Sequence, residues 1–314
     1  MKCYICSNEI QNRDFFAKEM MMGFRDIFHY FECSNCGCVQ IDHIPHDISK
    51  YYPANYYSFQ DPLVTPRLKI RIERILNTFL IKQQLGHSNP VGMLWALFQE
   101  SPALWIKKNF FNYTDKILDV GCGSGSILYE LNRYGFNNLT GIDPYIHNDI
   151  IVSTELRIYK KKLEEVDETF DLIMFHHSFE HMDDPKQILK TTYSLLRKNG
   201  KALIRIPVAN SYAWRKYTGN WVQLDPPRHF FLHTTKSIKL LADLTGFDVT
   251  AIVYDSTSFQ FFGSELYLLN IPLTEFYAGH NIFSRHQMKY FEQESKRLNR
   301  LNDGDSACFY LVKP

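Results

Sequence analysis

Between Lys116 and Tyr254 the chain alternates short apolar runs with segments whose apolar positions recur at helical spacing. KILDV, LTGID, FDLIMF and KALIRIP are rich in β-branched and aromatic residues and end near Gly, Asp or Pro, so each reads as a strand. SILYELNRYG and PKQILKTTYSLLRKNG repeat apolar residues every three or four positions and read as helices, the second expected to stop at Asn199-Gly200. This alternation predicts a mostly parallel sheet covered by helices on both faces. FDVTAIVYD follows the helical TTKSIKLLADLTG as a further strand, and ACFYLVK ends the chain as the last one. The insertion between them, residues 256–305, carries a helix in SRHQMKYFEQESKRLNRL. Upstream, PRLKIRIERILNTFLIK places Ile72, Ile75, Leu76 and Phe79 on one face of a basic amphipathic helix. The stretch from Ile41 to Phe59 is rich in Tyr and Pro, ending in KYYPANYYSF. The pattern divides into a lobe with its linker (1–60), a helical cap (61–113) and an α/β core (114–314).

Composition narrows the classes. A chain of 314 residues suggests about two domains. With 45% apolar and 22% charged residues it is neither disordered, collagen-like nor a disulfide-dense mini-protein. Lys plus Arg is 35 against 34 for Asp plus Glu, a net charge of +1 that gives no general pull toward nucleic acid or membrane. The most apolar stretch, VGMLWALFQESPALWI, is broken by Gln99, Glu100 and Pro102 and falls short of the roughly 20 residues of a membrane span. MKCYICSNEI is no signal peptide, so a cytoplasmic protein is expected. There the seven cysteines would be reduced thiols or metal ligands.

Five of the cysteines fall in the first 38 residues. Cys3-x-x-Cys6 and Cys33-x-x-Cys36 offer four thiolates for tetrahedral Zn²⁺ with bonds of about 2.3 Å. Gly37 suits the tight turn that aims backbone N–H groups at the sulfurs. A lobe this small buries little apolar surface, so a structural zinc would supply much of its folding energy. A redox dithiol would need only one pair, and Cys38 is left as a spectator.

The segment Lys116-Ile-Leu-Asp-Val-Gly-Cys-Gly-Ser-Gly-Ser126 runs from a buried strand into a helix. Gly121, Gly123 and Gly125 permit positive φ and close approach of a ligand, at the carboxyl edge where open α/β sheets bind ligands. A dinucleotide site would want Gly-x-Gly-x-x-Gly, but Ser126 occupies the third required position. Asp119 ahead of the glycines suits a cationic ligand better than a pyrophosphate. Those details favour S-adenosylmethionine, which has an ammonium and a sulfonium and no phosphate. Asp143 ends the next strand, where a carboxylate can accept both hydroxyls of a ribose.

LDVGCGSGS, GID, FDLIMFHHSFEHMDDP and LLRKNGKALIRIP together resemble class I S-adenosylmethionine-dependent methyltransferases over roughly Lys116 to Tyr254. The resemblance implies a Rossmann-like, seven-stranded, mostly parallel sheet with an antiparallel last strand. It also implies cofactor contacts from Asp119, Gly121, Cys122, Gly123 and Gly125 around the methionine part, and from Asp143 with Pro144 at the ribose. Lys162 and Leu163 would lie beside the adenine, and His176 would offer backbone groups. The CxxC…CxxCG lobe, the YY…YY segment and PPRHFFLHT resemble a bacterial group associated with surface-polysaccharide and modified-sugar biosynthesis. That implies a small-molecule or glycan acceptor.

Methyl transfer to oxygen needs an aligned hydroxyl and, for a weakly acidic one, a base. Two segments offer histidine: His176 to His181 after the fourth strand, and Asp225-Pro-Pro-Arg-His229 with His233 after the fifth. His229 is the preferred base or acceptor-positioning residue, with His181 and Arg228 as further catalytic candidates. The alternative for Arg228 and His229 is structural pairing with Asp225 or backbone carbonyls. Trp214, Tyr217 and Trp221 could wall a sugar ring or pack in the core. Arg67, Lys69, Arg71, Arg74 and Lys82, against Glu73, could meet a phosphate-bearing acceptor or form a solvated face. Competing functions are C-methylation of a keto-deoxysugar nucleotide, a nicotinamide-dependent oxidoreductase and a noncatalytic binding module.

Overall fold

The computed structural model describes residues 1–52, 67–86, 90–95, 105–107, 110–279 and 282–314. The Tyr-rich segment beyond Tyr52, Pro66, the break at Gln99 to Pro102 and the side chains of Arg67, Lys69, Arg71 and Glu73 lie outside the described residues.

Among the described residues, twelve strands form two sheets: β1 Arg13–Lys18, β2 Ile27–Glu32, β3 Val39–Ile41, β4 Ile117–Val120, β5 Leu139–Ile142, β6 Ile150–Ile151, β7 Leu156–Tyr159, β8 Phe170–His176, β9 Leu196–Pro207, β10 Phe231–Leu232, β11 Asp248–Tyr254 and β12 Ser306–Val312. The large sheet has the order β11-β12-β9-β8-β4-β5-β7-β6. Pairs β4–β5, β4–β8, β5–β7 and β8–β9 are parallel, whereas β12 runs antiparallel between β9 and β11. This is the expected seven-stranded sheet with its antiparallel last strand, extended by the two-residue edge strand β6. Burial on both faces explains the near-continuous apolar runs of β4 and β8. The period of two still sorts them: Leu118, Ile173 and Ile204 pack on one side, and Ile117, Leu172, Met174 and Leu203 on the other.

Two expectations change. The helix from Pro185 ends at Leu195 rather than at Asn199-Gly200, and the chain continues as β9 from Leu196. Pairing of Leu196 with Phe170 of β8 and the Arg197–Asp171 ion pair at 2.8 Å override the helical pattern of LLRKNG. The described residues of the insertion hold three helices, Phe259–Leu268, Leu273–Tyr277 and Arg285–Arg300, of which only the last shows in the sequence as an amphipathic stripe.

The N-terminal strands make an antiparallel sheet in the order β1-β2-β3-β10. Its fourth strand comes from the far side of the chain, pairing Phe231 with Gln40 and Leu232 with Val39. Further ties are Ile41 N–H to Phe230 O at 3.0 Å and Thr234 Oγ1 to Cys36 O at 2.6 Å. No helix among the described residues is long and apolar enough to cross a membrane.

Candidate active site

Because β4, β5, β7, β8 and β9 run in one direction, the loops that follow them share one edge of the sheet. After β4 the backbone turns through Gly121, Gly123 and Gly125 with φ of 71°, 54° and 90°. A Cβ on Gly121 would stand 2.6 Å from Ser178 Cβ, and Ser178 Oγ is fixed by donating to Val120 O at 2.6 Å. Side-chain bulk is thus excluded by both φ and space. Gly125 leads into the helix Ser126–Arg133 with no side-chain cap.

Asp143, at the end of β5, accepts from Gly123 N–H at 2.9 Å and Tyr145 N–H at 2.8 Å, so the second strand's acid and the glycine loop are one unit. Asp119 is 2% exposed and its Oδ1 has no partner among the described residues. Burial, helped by the charge of Asp143, pushes its carboxyl up to about 8. A buried carboxyl of this kind is poised for a cationic group, whose arrival would restore its charge. Pro144 follows Asp143, and Lys162 and buried Leu163 follow β7 at the same edge. The Cys122 side chain packs toward Gly141, where an added Cβ would meet its sulfur at 2.6 Å. His176 closes β8 with its ring 4.4 Å from Trp105. Both of its ring nitrogens are buried without a partner among the described residues. Burial, then Arg205 and His177, keeps this ring neutral. The topology therefore brings every expected cofactor residue to one edge.

The loops after β8 and β9 meet beside it. The His181 and His229 rings stand 4.7 Å apart, edge to face. His181 Nδ1 lies 2.7 Å from Arg228 O, and His229 Nδ1 lies 2.7 Å from Gln223 O. Each carbonyl fixes a tautomer that leaves the Nε2 lone pair free. Burial, then His181, lowers His229 to about 4 against the opposing charges of Asp225 and Glu180. It is a neutral imidazole at physiological pH.

Arg228 is placed differently from a residue that touches substrate. Its guanidinium is fully buried between Asp225, with bonds of 2.5 and 2.9 Å, and Glu19 at 2.8 Å, and also donates to Tyr51 O at 3.2 Å. Tyr30 OH, from β2, donates to His229 O at 2.9 Å. The lobe thus holds the backbone of the histidine loop. Glu19 and Tyr30 were not singled out from the sequence; the signal for Glu19 is a lone acid beside the apolar run MMM.

Of the two alternatives for the aromatic residues, core packing holds. Trp214, Tyr217 and Trp221 are buried core residues, and their polar atoms are bound by Glu32, Glu265 and Asp305. On the basic helix, Arg74 pairs with Glu155 at 2.6 Å and Lys82 lies over the Tyr113 ring at 4.8 Å.

The four cysteines converge as their spacing implies. Their sulfurs all lie within 4.8 Å of one another, with Cys3–Cys36 at 3.6 Å and Cys6–Cys33 at 3.5 Å. A tetrahedral ion bonded at about 2.3 Å sets edges of about 3.8 Å, so the set fits one. Gln40 Nε2 donates to Cys3 Sγ at 2.9 Å and Cys36 N–H to Cys33 Sγ at 3.5 Å. Gly37, with φ of 73°, closes the tight turn expected of it by donating its N–H to Cys33 O at 2.8 Å, and within that turn it is the Cys36 N–H that meets a sulfur. Cys38 stands apart, 4.0 Å from His233 Nδ1.

Comparison with known proteins places this arrangement. A family model described as "Methyltransferase domain" matches residues 94–252. A ubiquinone biosynthesis O-methyltransferase of Rickettsia felis is 30% identical over 112 residues, covering 32% of this chain and 46% of that protein. The mouse EEF1A lysine methyltransferase 2 is 37% identical over 73 residues, covering 23% and 28%. The chain thus spans less than half the length of either relative. Among solved structures, a SAM-dependent methyltransferase from Archaeoglobus fulgidus aligns over 65% of this chain and 88% of that one, with 19% identity and a TM-score of 0.41. With half of its length matched by that model, the chain belongs to the methyltransferase-domain family.

Proposed function

We propose that the protein is an S-adenosylmethionine-dependent methyltransferase that O-methylates a sugar or glycan precursor in the cytoplasm. The observation that carries the cofactor is the buried Asp119 carboxyl, whose Oδ1 has no partner among the described residues, beneath a glycine-rich turn that is tied to Asp143. S-adenosylmethionine, when bound, supplies an electrophilic methyl group. Asp119 meets its ammonium, Gly121 to Gly125 with Cys122 line its methionine part, Asp143 with Pro144 takes the ribose, Lys162 and Leu163 flank the adenine, and His176 offers backbone groups. His229 and His181 serve the acceptor: their fixed tautomers turn free Nε2 lone pairs toward a hydroxyl. Arg228 positions them through its carbonyl and its buried ion pairs. The sugar class rests on the resemblance of the lobe and of PPRHFFLHT to glycan-modifying methyltransferases. The Rickettsia relative is named as an O-methyltransferase and the mouse one as a lysine methyltransferase.

Labelled methyl transfer from S-adenosylmethionine to a panel of nucleotide sugars, with the product atom assigned by NMR, tests the reading. Label on nitrogen or carbon, or saturation by NADH with no heat from S-adenosylhomocysteine, defeats it. The raised Asp119 carboxyl adds a pH signature. The ammonium favours ionised Asp119, and below about 8 the neutral carboxyl must first lose its proton. Affinity for S-adenosylhomocysteine should therefore rise up to about tenfold per pH unit between pH 6 and 7 and flatten above 8. Asp119→Asn should bind about 10–100-fold more weakly at pH 8 and lose that slope in calorimetry.

We propose a structural Zn²⁺ on Cys3, Cys6, Cys33 and Cys36. Native mass spectrometry should find one dialysis-resistant zinc per chain. Cys33→Ser should lose it and destabilise the whole chain; full folding of the metal-free chain would refute the site.

A further inference from the structure

Glu180 stands between the two histidine loops without an accounted role. It is fully buried, and neither carboxylate oxygen has a hydrogen-bond partner among the described residues. A buried carboxylate in this state is costly unless a positive charge completes it. No Lys or Arg pairs with it among the described residues; only imidazoles approach, with His177 Nδ1 at 3.5 Å and His229 Nε2 at 3.9 Å.

We propose that Glu180, His181 and His229 form a binding site for a divalent transition-metal ion, separate from the cysteine site. One carboxylate oxygen and one nitrogen from each ring lie within 4.8 Å of one another. Donors about 2.1 Å from a shared ion stand roughly 3–4 Å apart, so small side-chain rotations close the set. The imidazoles are already prepared as ligands. Each has its Nδ1 held by a backbone carbonyl, Arg228 O or Gln223 O, which orients the ring and leaves Nε2 to bind. Two imidazoles and one carboxylate suit Mn²⁺, Fe²⁺ or Zn²⁺ and leave coordination positions open. Glu180 and His229 are buried, whereas His181 is only partly so, which leaves the ion a way in. On the reading that this cluster serves the acceptor, a bound ion takes the Nε2 lone pairs, so the imidazoles serve the acceptor through the ion rather than as bases; the open positions would hold the acceptor oxygen, and a vicinal diol or hydroxy-ketone is the ligand class that chelates such an ion.

The test uses the full chain with its cysteine site loaded with zinc. Manganese chloride alone is titrated in, and free Mn²⁺ is counted by electron paramagnetic resonance. One saturable Mn²⁺ per chain is expected. Glu180→Gln, which keeps the shape, and His229→Gln should each weaken it at least tenfold, with zinc content and circular dichroism unchanged. Absence of saturable binding up to about 1 mM Mn²⁺ overturns the site, as does binding that survives Glu180→Gln. Calorimetry with S-adenosylhomocysteine on the same samples separates the two ideas. Cofactor binding without Mn²⁺ refutes the cation site alone, and Mn²⁺ binding without cofactor binding supports the site while refuting the methyltransferase reading.

Discussion

Arg228→Leu should lower stability by about 3–5 kcal/mol, because it leaves two buried carboxylates, Glu19 and Asp225, without their counter-charge. In a chain of this size that is a fall in Tm of roughly 5–8 °C. The pH dependence identifies the cause. Burial would raise the Asp225 carboxyl, but the Arg228 guanidinium outweighs it and holds Asp225 below its usual range. A carboxyl depressed in the folded state stabilises at neutral pH, and that contribution is lost as pH falls through its folded value. The gap between wild type and variant should therefore narrow in acid. Differential scanning calorimetry at pH 7 and in mild acid checks it; a gap independent of pH would mean that lost packing, not charge, sets the cost. Arg228→Lys keeps the charge without the two-pronged geometry and should fall between them.

His229→Ala should reduce the rate of methyl transfer about 100-fold or more while binding S-adenosylhomocysteine as wild type does. The fold should tolerate the change, since Tyr30 grips the backbone carbonyl of residue 229 rather than its ring. Full activity with an identified acceptor would remove His229 from the acceptor side. Because burial holds this imidazole at about 4, its titration should not depress the wild-type rate between pH 6 and 8.

The sheet was legible because a parallel strand buried on both faces writes itself as an apolar run, as FDLIMF does. The gathering of the expected cofactor residues at one edge was legible for a related reason. Strand ends in Asp119, Asp143 and His176 and the glycines between Val120 and Ser126 are local features, and parallel topology collects them. What could not be read depends on partners distant in sequence. Leu196 looks helical until Phe170 claims it. FQFFGSELYL is apolar nearly all round and shows no stripe, because neighbours cover most of its helix. Arg228 reads as a catalytic candidate until Glu19 and Asp225 are found on either side of it. Glu180 sits in plain sight in SFEHM, but only the fold strips it of hydrogen-bond partners.

The short strand Phe231–Leu232 that completes the lobe's sheet has a consequence for anyone seeking a minimal version of this protein. Excising the cysteine-bearing part would bare a strand edge, remove one of two carboxylates from a buried guanidinium and release the support under His229 in a single cut. The two regions should melt as one cooperative unit, and a graft onto another scaffold would have to carry both.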